Sequence, residues 1–357
     1  MKTSMRLGAQ RPPKPRAAAG FVPYRLPHPE RYPFELDLAH VVPGTRIRAA
    51  LAAKAYSCYV LGDVGGIVDP APQRWVAEAM CALSGDAARY DPERAPCGGT
   101  LFAYIVGDVV YNHGARAQYL PQFYAPYERY TRPILAIPGN HDGDLDGPTR
   151  ESLDGFIANF CAPYQGPAED AGPLARHALD QPNVYWTLEA PWLRIVGLYT
   201  NVPEGGVVEE EQRRWFLEQM ARPLDGKHLI VALHQPVFSA DDVHGGSSAM
   251  LDLIHEPARR AGCRLVLSGH VHNYQRFEFD GITYVVAGGG GYYGLHALLP
   301  PEFPGAMYPL VAHTTDYSFV HMSITPEGLT LRAIAVPSHF SARSATPRLV
   351  DRYTVGR

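Results

Sequence analysis

The sequence predicts a mixed α/β fold, a four-layer αββα sandwich of two mixed β-sheets flanked by helices. Three observations predict it. Short apolar runs alternate with helix-like patterns over the first half of the chain, which argues for strands with helices outside them. The second half is richer in strands and poorer in helices. Five of the apolar runs stop at a polar cluster, as strands do when they deliver side chains to one end of a sheet.

Residues 1–50 are rich in proline, arginine and alanine and lack periodicity. They are expected to form an N-terminal extension, with 21–42 wrapping onto the domain through their aromatics. The domain itself is expected over 51–340, with 341–357 as a C-terminal tail. Residues 55–61 read as a buried strand ending at Gly62-Asp63, and 101–106 as another ending at Gly107-Asp108. Residues 134–137 form a third, stopping at Pro138-Gly139-Asn140-His141-Asp142. Helices are expected at 73–83, 115–124 and 152–161. A hairpin is expected over 184–188 and 193–199. Residues 209–220 read as a helix with Glu209, Glu210 and Glu211 in its first turn, where the helix dipole favours them. Strands at 229–233 and 265–267 end at His234 and at Ser268-Gly269-His270. Residues 282–287, 319–324 and 329–336 supply the later strands.

Composition bounds the function. The chain has 357 residues, 46% hydrophobic and 19% charged, with a formal net charge of −4. No basic surface able to neutralise a nucleic-acid backbone is implied, so duplex binding is not expected. The five cysteines, Cys58, Cys81, Cys97, Cys161 and Cys263, contain no C-x-x-C pair and imply neither a disulfide framework nor a thiolate zinc site. Lys2, Arg6, Arg11, Lys14 and Arg16 are basic, but Pro12, Pro13 and Pro15 interrupt the stretch and no apolar run of the required length comes after them. No secretory signal, twin-arginine pair or spanning apolar run is read. A cytoplasmic location without membrane association is the expectation. Oligomeric state is left open.

The five polar clusters are Gly62-Asp63-Val64-Gly65, Gly107-Asp108-Val109-Val110-Tyr111, Gly139-Asn140-His141-Asp142, Val231-Ala232-Leu233-His234 and Gly269-His270-Val271-His272. Ligands of open α/β sheets gather beyond the carboxyl ends of strands, so residues distant in sequence can converge there. Imidazole with carboxylate suits zinc, iron and manganese. Two metal ions sharing a carboxylate are the usual arrangement for displacement at phosphorus. Each cluster alone has a plainer reading. Gly-Asp is a common turn, a lone histidine is more often a hydrogen-bonded core residue, and Tyr111 alone would be a packing tyrosine. Five such signals in one chain outweigh those readings.

In kind and order these blocks resemble the calcineurin-like metallophosphoesterases, specifically the purple acid phosphatase branch, from about Ser57 to about Ala287. Most of that superfamily carries Asp-x-His in the first block. Here Gly65 stands in place of the histidine, and Tyr111 completes Gly-Asp-x-x-Tyr in the second. The resemblance implies that Asp63, Tyr111 and His272 bind a first metal, Asn140, His234 and His270 a second, and that Asp108 bridges. It implies Fe(III) paired with Zn(II), Mn(II) or Fe(II). It also implies hydrolysis of a small-molecule phosphate ester by a metal-bound hydroxide, with His141 and His244 as the two candidate proton donors to the leaving group. Asp142, beside His141, is expected to orient His141 or a ligand histidine. A phosphomonoesterase is the leading expectation. A phosphodiesterase, and a metal-binding scaffold that recruits phosphoproteins, are the alternatives.

Other features have plainer readings. His113 is expected to be a loop histidine. Gly288 to Gly291 lacks the G-x-G-x-x-G spacing and following helix of a phosphate-cradling loop, and is expected to let the chain pass close to the site. Trp215, Phe216 and Met220 are expected to face the core.

Overall fold

The computed structural model describes residues 20–85, 99–145, 150–299, 310–339 and 346–356. Residues Lys2 to Arg16 and Cys97 lie outside them. In chain order the strands are β1 (Glu35–Asp37), β2 (Tyr56–Leu61), β3 (Thr100–Val106), β4 (Ile134–Ile137), β5 (Cys161–Pro167), β6 (His177–Asp180), β7 (Trp186–Ala190) and β8 (Leu193–Gly197). They continue with β9 (His228–Ala232), β10 (Leu265–Ser268), β11 (Tyr274–Phe279), β12 (Ile282–Ala287), β13 (Leu310–Thr314), β14 (Ser318–Ile324), β15 (Gly328–Ala335) and β16 (Arg348–Gly356). The α-helices are α1 (Gly44–Ala53), α2 (Ala71–Gly85), α3 (Asn140–Gly143), α4 (Asp154–Phe160), α5 (Glu210–Ala221) and α6 (Ser248–Arg260).

Two mixed sheets result, as the alternation predicts. One runs β16-β15-β14-β2-β3-β4, the other β1-β7-β8-β9-β10-β12-β11-β13, and β5 and β6 form a small ribbon. Strands β2, β3 and β4 are parallel neighbours. So are β8, β9, β10 and β12 in the larger sheet. Parallel strands covered on both faces read as continuous apolar runs, and β2, β3, β9 and β12 are buried along their whole length.

The sheets meet face to face. The Tyr104 ring of β3 lies 5.9 Å from Trp186 of β7, and the Trp186 indole donates to the Ala136 carbonyl of β4 at 3.1 Å. Outside the larger sheet, α5 buries Trp215, Phe216 and Met220. Each such side chain contributes roughly 1.5–3 kcal/mol on full burial.

Three boundaries differ from expectation. The N-terminal boundary at residue 50 falls inside α1, and β1 pairs in parallel with β7. Residues 20–50 are therefore part of the domain. Val22 and Asn201 exchange hydrogen bonds at 2.9 and 3.0 Å, and Trp215 donates to the Pro33 carbonyl at 2.7 Å. The expected C-terminal tail is corrected too, because β16 completes an edge of the smaller sheet. Arg348, Asp351 and Arg352 disguise it in sequence; such charges keep an edge strand from pairing with another chain. Asp351 nevertheless crosses to the other sheet, accepting from Arg276 Nε at 2.7 Å and Tyr274 Oη at 2.8 Å. The expected helix over 115–124 is a 3-10 turn, Arg116–Gln118, followed by a π turn, Leu120–Tyr124.

Helix α6 and strands β5, β6, β11 and β13 are not among the expected elements, although α6 carries a regular apolar stripe at four-residue spacing. In α6 only Met250, Ile254 and Ala258 are buried, a stripe one residue wide.

Candidate metal centre

Topology brings the five clusters to one place. Each follows a parallel strand, β2, β3 and β4 in one sheet and β9 and β10 in the other, so all five lie at carboxyl ends. Asp63, Asp108 and His270 take left-handed backbone conformations, with φ of 59°, 54° and 69°. Such residues are sparse outside glycine and cost of order 1–3 kcal/mol each. The turn aims each side chain back across the sheet ends rather than along its strand.

The seven ligand candidates lie in two adjoining groups. In the first, Tyr111 Oη is 3.1 Å from Asp63 Oδ1 and 3.3 Å from His272 Nε2, and that nitrogen is 3.6 Å from Asp63 Oδ1. In the second, Asn140 Oδ1 is 3.0 Å from both His234 Nε2 and His270 Nδ1. Asp108 lies where the groups meet. Its Oδ2 is 3.3 Å from His234 Nε2, while its Oδ1 accepts from the His141 backbone N–H at 2.9 Å. The potential ligand atoms of Asp63, Asp108 and His234 all fall within 4.8 Å of one another.

Two of the candidate imidazoles are oriented by carbonyls. His234 Nδ1 donates to Val106 O at 2.9 Å and His272 Nδ1 to Gly294 O at 3.1 Å. Each therefore turns Nε2 inward, the second-partner arrangement usual for metal-ligating histidine. Asp142 does something other than expected. It accepts from the backbone N–H groups of Gly139, Val109 and Val110 at 2.9, 3.1 and 3.1 Å. It thus staples the Asp108 loop to the Asn140 loop and orients no histidine. His141 is instead oriented by Nδ1 donating to Asn112 O at 2.9 Å. His113 pairs with Asp144 at 3.2 Å, apart from the donor groups.

The electrostatics fit cations. Burial pushes Asp63 up to about 8, with His234 pulling it down and Asp108 pushing it further up. Burial also works to raise Asp108, but His234 and His141 hold it below the usual carboxylate value. The Tyr111 phenol is driven well above its ordinary value by burial and then by Asp108 and Asp63. Burial drives His272 well below the usual histidine value and His270 down to about 4. The Tyr111 phenol, the Asp63 carboxyl and the His272 imidazole thus crowd together, with Nε2 of His272 3.6 Å from Asp63 Oδ1. Burial favours the neutral form of all three, and anionic forms of the phenol and the carboxyl are accommodated there only with a cation between them. The residues present fit two metal ions.

Gly65 explains the block that departs from Asp-x-His. A Cβ there would lie 2.8 Å from Tyr111 Cδ2 and 2.6 Å from Gln122 Oε1. The Tyr111 ring occupies the space a residue-65 side chain would need, and Gln122 Oε1 holds the Tyr111 backbone N–H at 3.0 Å.

A family model described as calcineurin-like phosphoesterase matches residues 59–274. The chain belongs to that family. As a calcineurin-like phosphoesterase it is similar to Purple acid phosphatase 21 of Arabidopsis thaliana, 26% identical over 175 residues, which are 45% of this chain and 37% of that protein. Probable purple acid phosphatase 20 of the same plant is 27% identical over 176 residues, 45% of this chain and 38% of the relative. The matched part of this calcineurin-like phosphoesterase thus spans under two fifths of those relatives. Among solved structures, purple acid phosphatase PPD1 from yellow lupin seeds superposes with a TM-score of 0.58 at 17% identity, over 85% of this chain and 54% of that one. GAP50, the anchor in the inner membrane complex of Plasmodium, does so at 0.57 and 13% identity, over 83% of this chain and 89% of that one. At such identities they speak to the fold. Among the described residues no helix is long and apolar enough to cross a membrane.

Four residues at the site escaped the sequence reading. Glu204, beyond β8, contacts His270 Nε2 at 3.2 Å and also His244 Nδ1. Asp241 accepts the His244 backbone N–H at 2.8 Å and pairs with His296 Nδ1 at 3.0 Å. The His296 ring stacks on His272, centroids 4.2 Å apart. Tyr292 stacks on Tyr111 at 4.0 Å. Their signal is topological: Glu204 follows β8, Asp241 follows β9, and Tyr292 and His296 follow β12, and these strands run parallel with β10 in one sheet, so the segments after them reach the same end.

Proposed function

We propose that the chain is a dinuclear metal-dependent hydrolase of small phosphate esters, acting on monoesters in the manner of a purple acid phosphatase. The observation carrying this is the meeting of an Asp63–Tyr111–His272 group and an Asn140–His234–His270 group at Asp108. Asp63, Tyr111 and His272 would hold the first metal, the second trio the other, and Asp108 both. A phenolate with carboxylates is a hard donor set, which favours Fe(III) in the first position and Zn(II), Mn(II) or Fe(II) in the second. Metal ions held there would neutralise phosphate charge and lower the pKa of a bound water.

The chain's own residues handle the leaving group. Burial pulls His244 down, yet the Glu204 carboxylate outweighs it and keeps the imidazole above the usual histidine value. His244 can then give a proton from Nε2 to a departing alkoxide. His141, its Nδ1 committed to Asn112, is held beside the Tyr111 ring at 4.4 Å. His244→Ala is expected to lower kcat about 100-fold on an alkyl phosphate. The loss should be far smaller on a nitrophenyl phosphate, whose leaving group needs no proton. Equal losses on both substrates, at unchanged metal content, would rule out this role.

The proposal is tested by loading the full chain with Fe(III) and Zn(II) and recording its visible spectrum and its turnover of aryl monoesters against bis-aryl diesters. A tyrosinate charge-transfer band and monoester preference are expected, and Tyr111→Phe should lose the band. A band that survives in Tyr111→Phe removes that residue from the ligand set. Diester preference would move the reading to a phosphodiesterase. Metal binding without hydrolysis of either ester would overturn the enzyme itself.

A further inference from the structure

We propose that the glycine run 288–291 serves to place the Tyr292 ring against Tyr111, and that Tyr292 is a positioning residue holding the phenol toward Asp63 and His272. The run leaves β12 at the carboxyl end of the sheet and threads a gap that admits no side chain. A Cβ at Gly288 would lie 2.0 Å from Val271 O and 2.8 Å from Asp63 Oδ2, and one at Gly290 would lie 2.2 Å from Gly62 O. At Gly291, where φ is +138°, a Cβ would come within 2.5 Å of Gln73 Cα. The passage is also pinned by backbone hydrogen bonds. Gly288 N–H donates to Asn273 O at 3.0 Å, Gly290 N–H to Gly62 O at 3.1 Å, and Tyr292 N–H to Asp63 O at 2.9 Å. Tyr292 is thus tied through its own backbone to a residue of the donor group it serves.

The rings then do the positioning. Tyr292 and Tyr111 lie 4.0 Å apart at 24°, a stacked pair, and Tyr292 meets His272 at 4.7 Å. Stacked aromatic pairs favour a defined offset geometry through their quadrupoles. Gln122 fixes only the Tyr111 backbone. The hydroxyl contacts to Asp63 and His272 lie on the ring's long axis, so rotation about that axis is left to packing, of which Tyr292 supplies one part and His141, at 4.4 Å, another. Tyr292 is itself only partly buried, so its aromatic character serves the neighbouring ring more than the core. The same segment supplies Gly294 O to His272 and brings His296 onto that imidazole. It therefore supports two members of the first donor group at once.

The test has a metal-free arm and a loaded arm. The second arm alone rests on the ferric reading above. In the metal-free full chain with ring-labelled tyrosine, the Tyr111 signal is identified by its loss in Tyr111→Phe, and its ring-flip rate is measured by NMR. Tyr292→Leu, and Tyr292→Met as a second non-aromatic variant, should speed the flip roughly three- to tenfold, and Tyr292→Phe should restore the wild-type rate. In the ferric-loaded protein the non-aromatic variants should shift and weaken the visible band, with Tyr292→Phe again like wild type. Non-aromatic variants whose Tyr111 flips at the wild-type rate would overturn the proposal. A colourless loaded wild type whose metal-free flip rate still responds to Tyr292→Leu would sink the ferric reading and leave the positioning role supported.

Discussion

Asp108→Asn is expected to lower phosphatase activity by at least about a thousandfold and to reduce the metal retained per chain. The substitution is close to isosteric, and its amide oxygen can still accept from the His141 backbone as Asp108 Oδ1 does. What it removes is the anionic charge of the side chain that, among the described residues, lies where the two donor groups meet. Metal-free and metal-loaded proteins should respond differently. Without metal, the variant loses the pairing with His234 but also relieves repulsion against Asp63 and Tyr111, so the effects on stability oppose one another. With metal, ligand binding adds to native-state stability by mass action, and the variant should forfeit much of that gain. Denaturation midpoints measured with and without Zn(II) and Fe(III) check this. A variant that keeps full metal content and activity would remove Asp108 from the bridging position.

Gly65→His is expected to have the second-largest effect. Most of the wider superfamily has histidine there, so the change looks conservative by family pattern. Physically it is not, because even a Cβ would lie 2.6 Å from Gln122 Oε1 and 2.8 Å from the Tyr111 ring. Overpacking of this kind costs typically about 1–3 kcal/mol, and an imidazole adds to it. The ring of Tyr111 must move, or Gln122 must release the Tyr111 backbone. The expected outcome is a lower melting temperature and loss of the tyrosinate band. In Gly65→His with Tyr111→Ala the space reopens, and stability should recover toward wild type without colour. The two changes should therefore be strongly non-additive in a double-mutant cycle, as for side chains competing for one volume. Additive losses would mean that the glycine–tyrosine exchange is not a steric pair.

Much of the site could be read before the fold. Each ligand candidate follows a buried run, because a parallel strand covered on both faces must be apolar and can become polar only where it leaves the sheet. That local rule marks Asp63, Asp108, Asn140, His234 and His270 without any tertiary information. The same rule misses Glu204, which lies well past the end of β8, after Leu198, Tyr199 and other buried residues. It also misses Tyr292, which comes after four glycines. Asp142 lies inside a cluster the sequence does mark, yet its work is to hold two loops together through three backbone N–H groups. Spacing says nothing of that.

The sequence by itself determined the strand ends, the donor types and the exchange of histidine for tyrosine between the first two blocks. These are properties of short segments, written in residue chemistry and periodicity. The tertiary structure decided how closely the donors approach one another. It brought Tyr111 against Asp63 and His272, set Asp108 between the two groups, and made Gly65 the space into which the tyrosine fits. It also turned an expected tail into strand β16. The reason is physical: convergence depends on which strands are neighbours and which sheet faces which, and those pairings join residues more than a hundred positions apart.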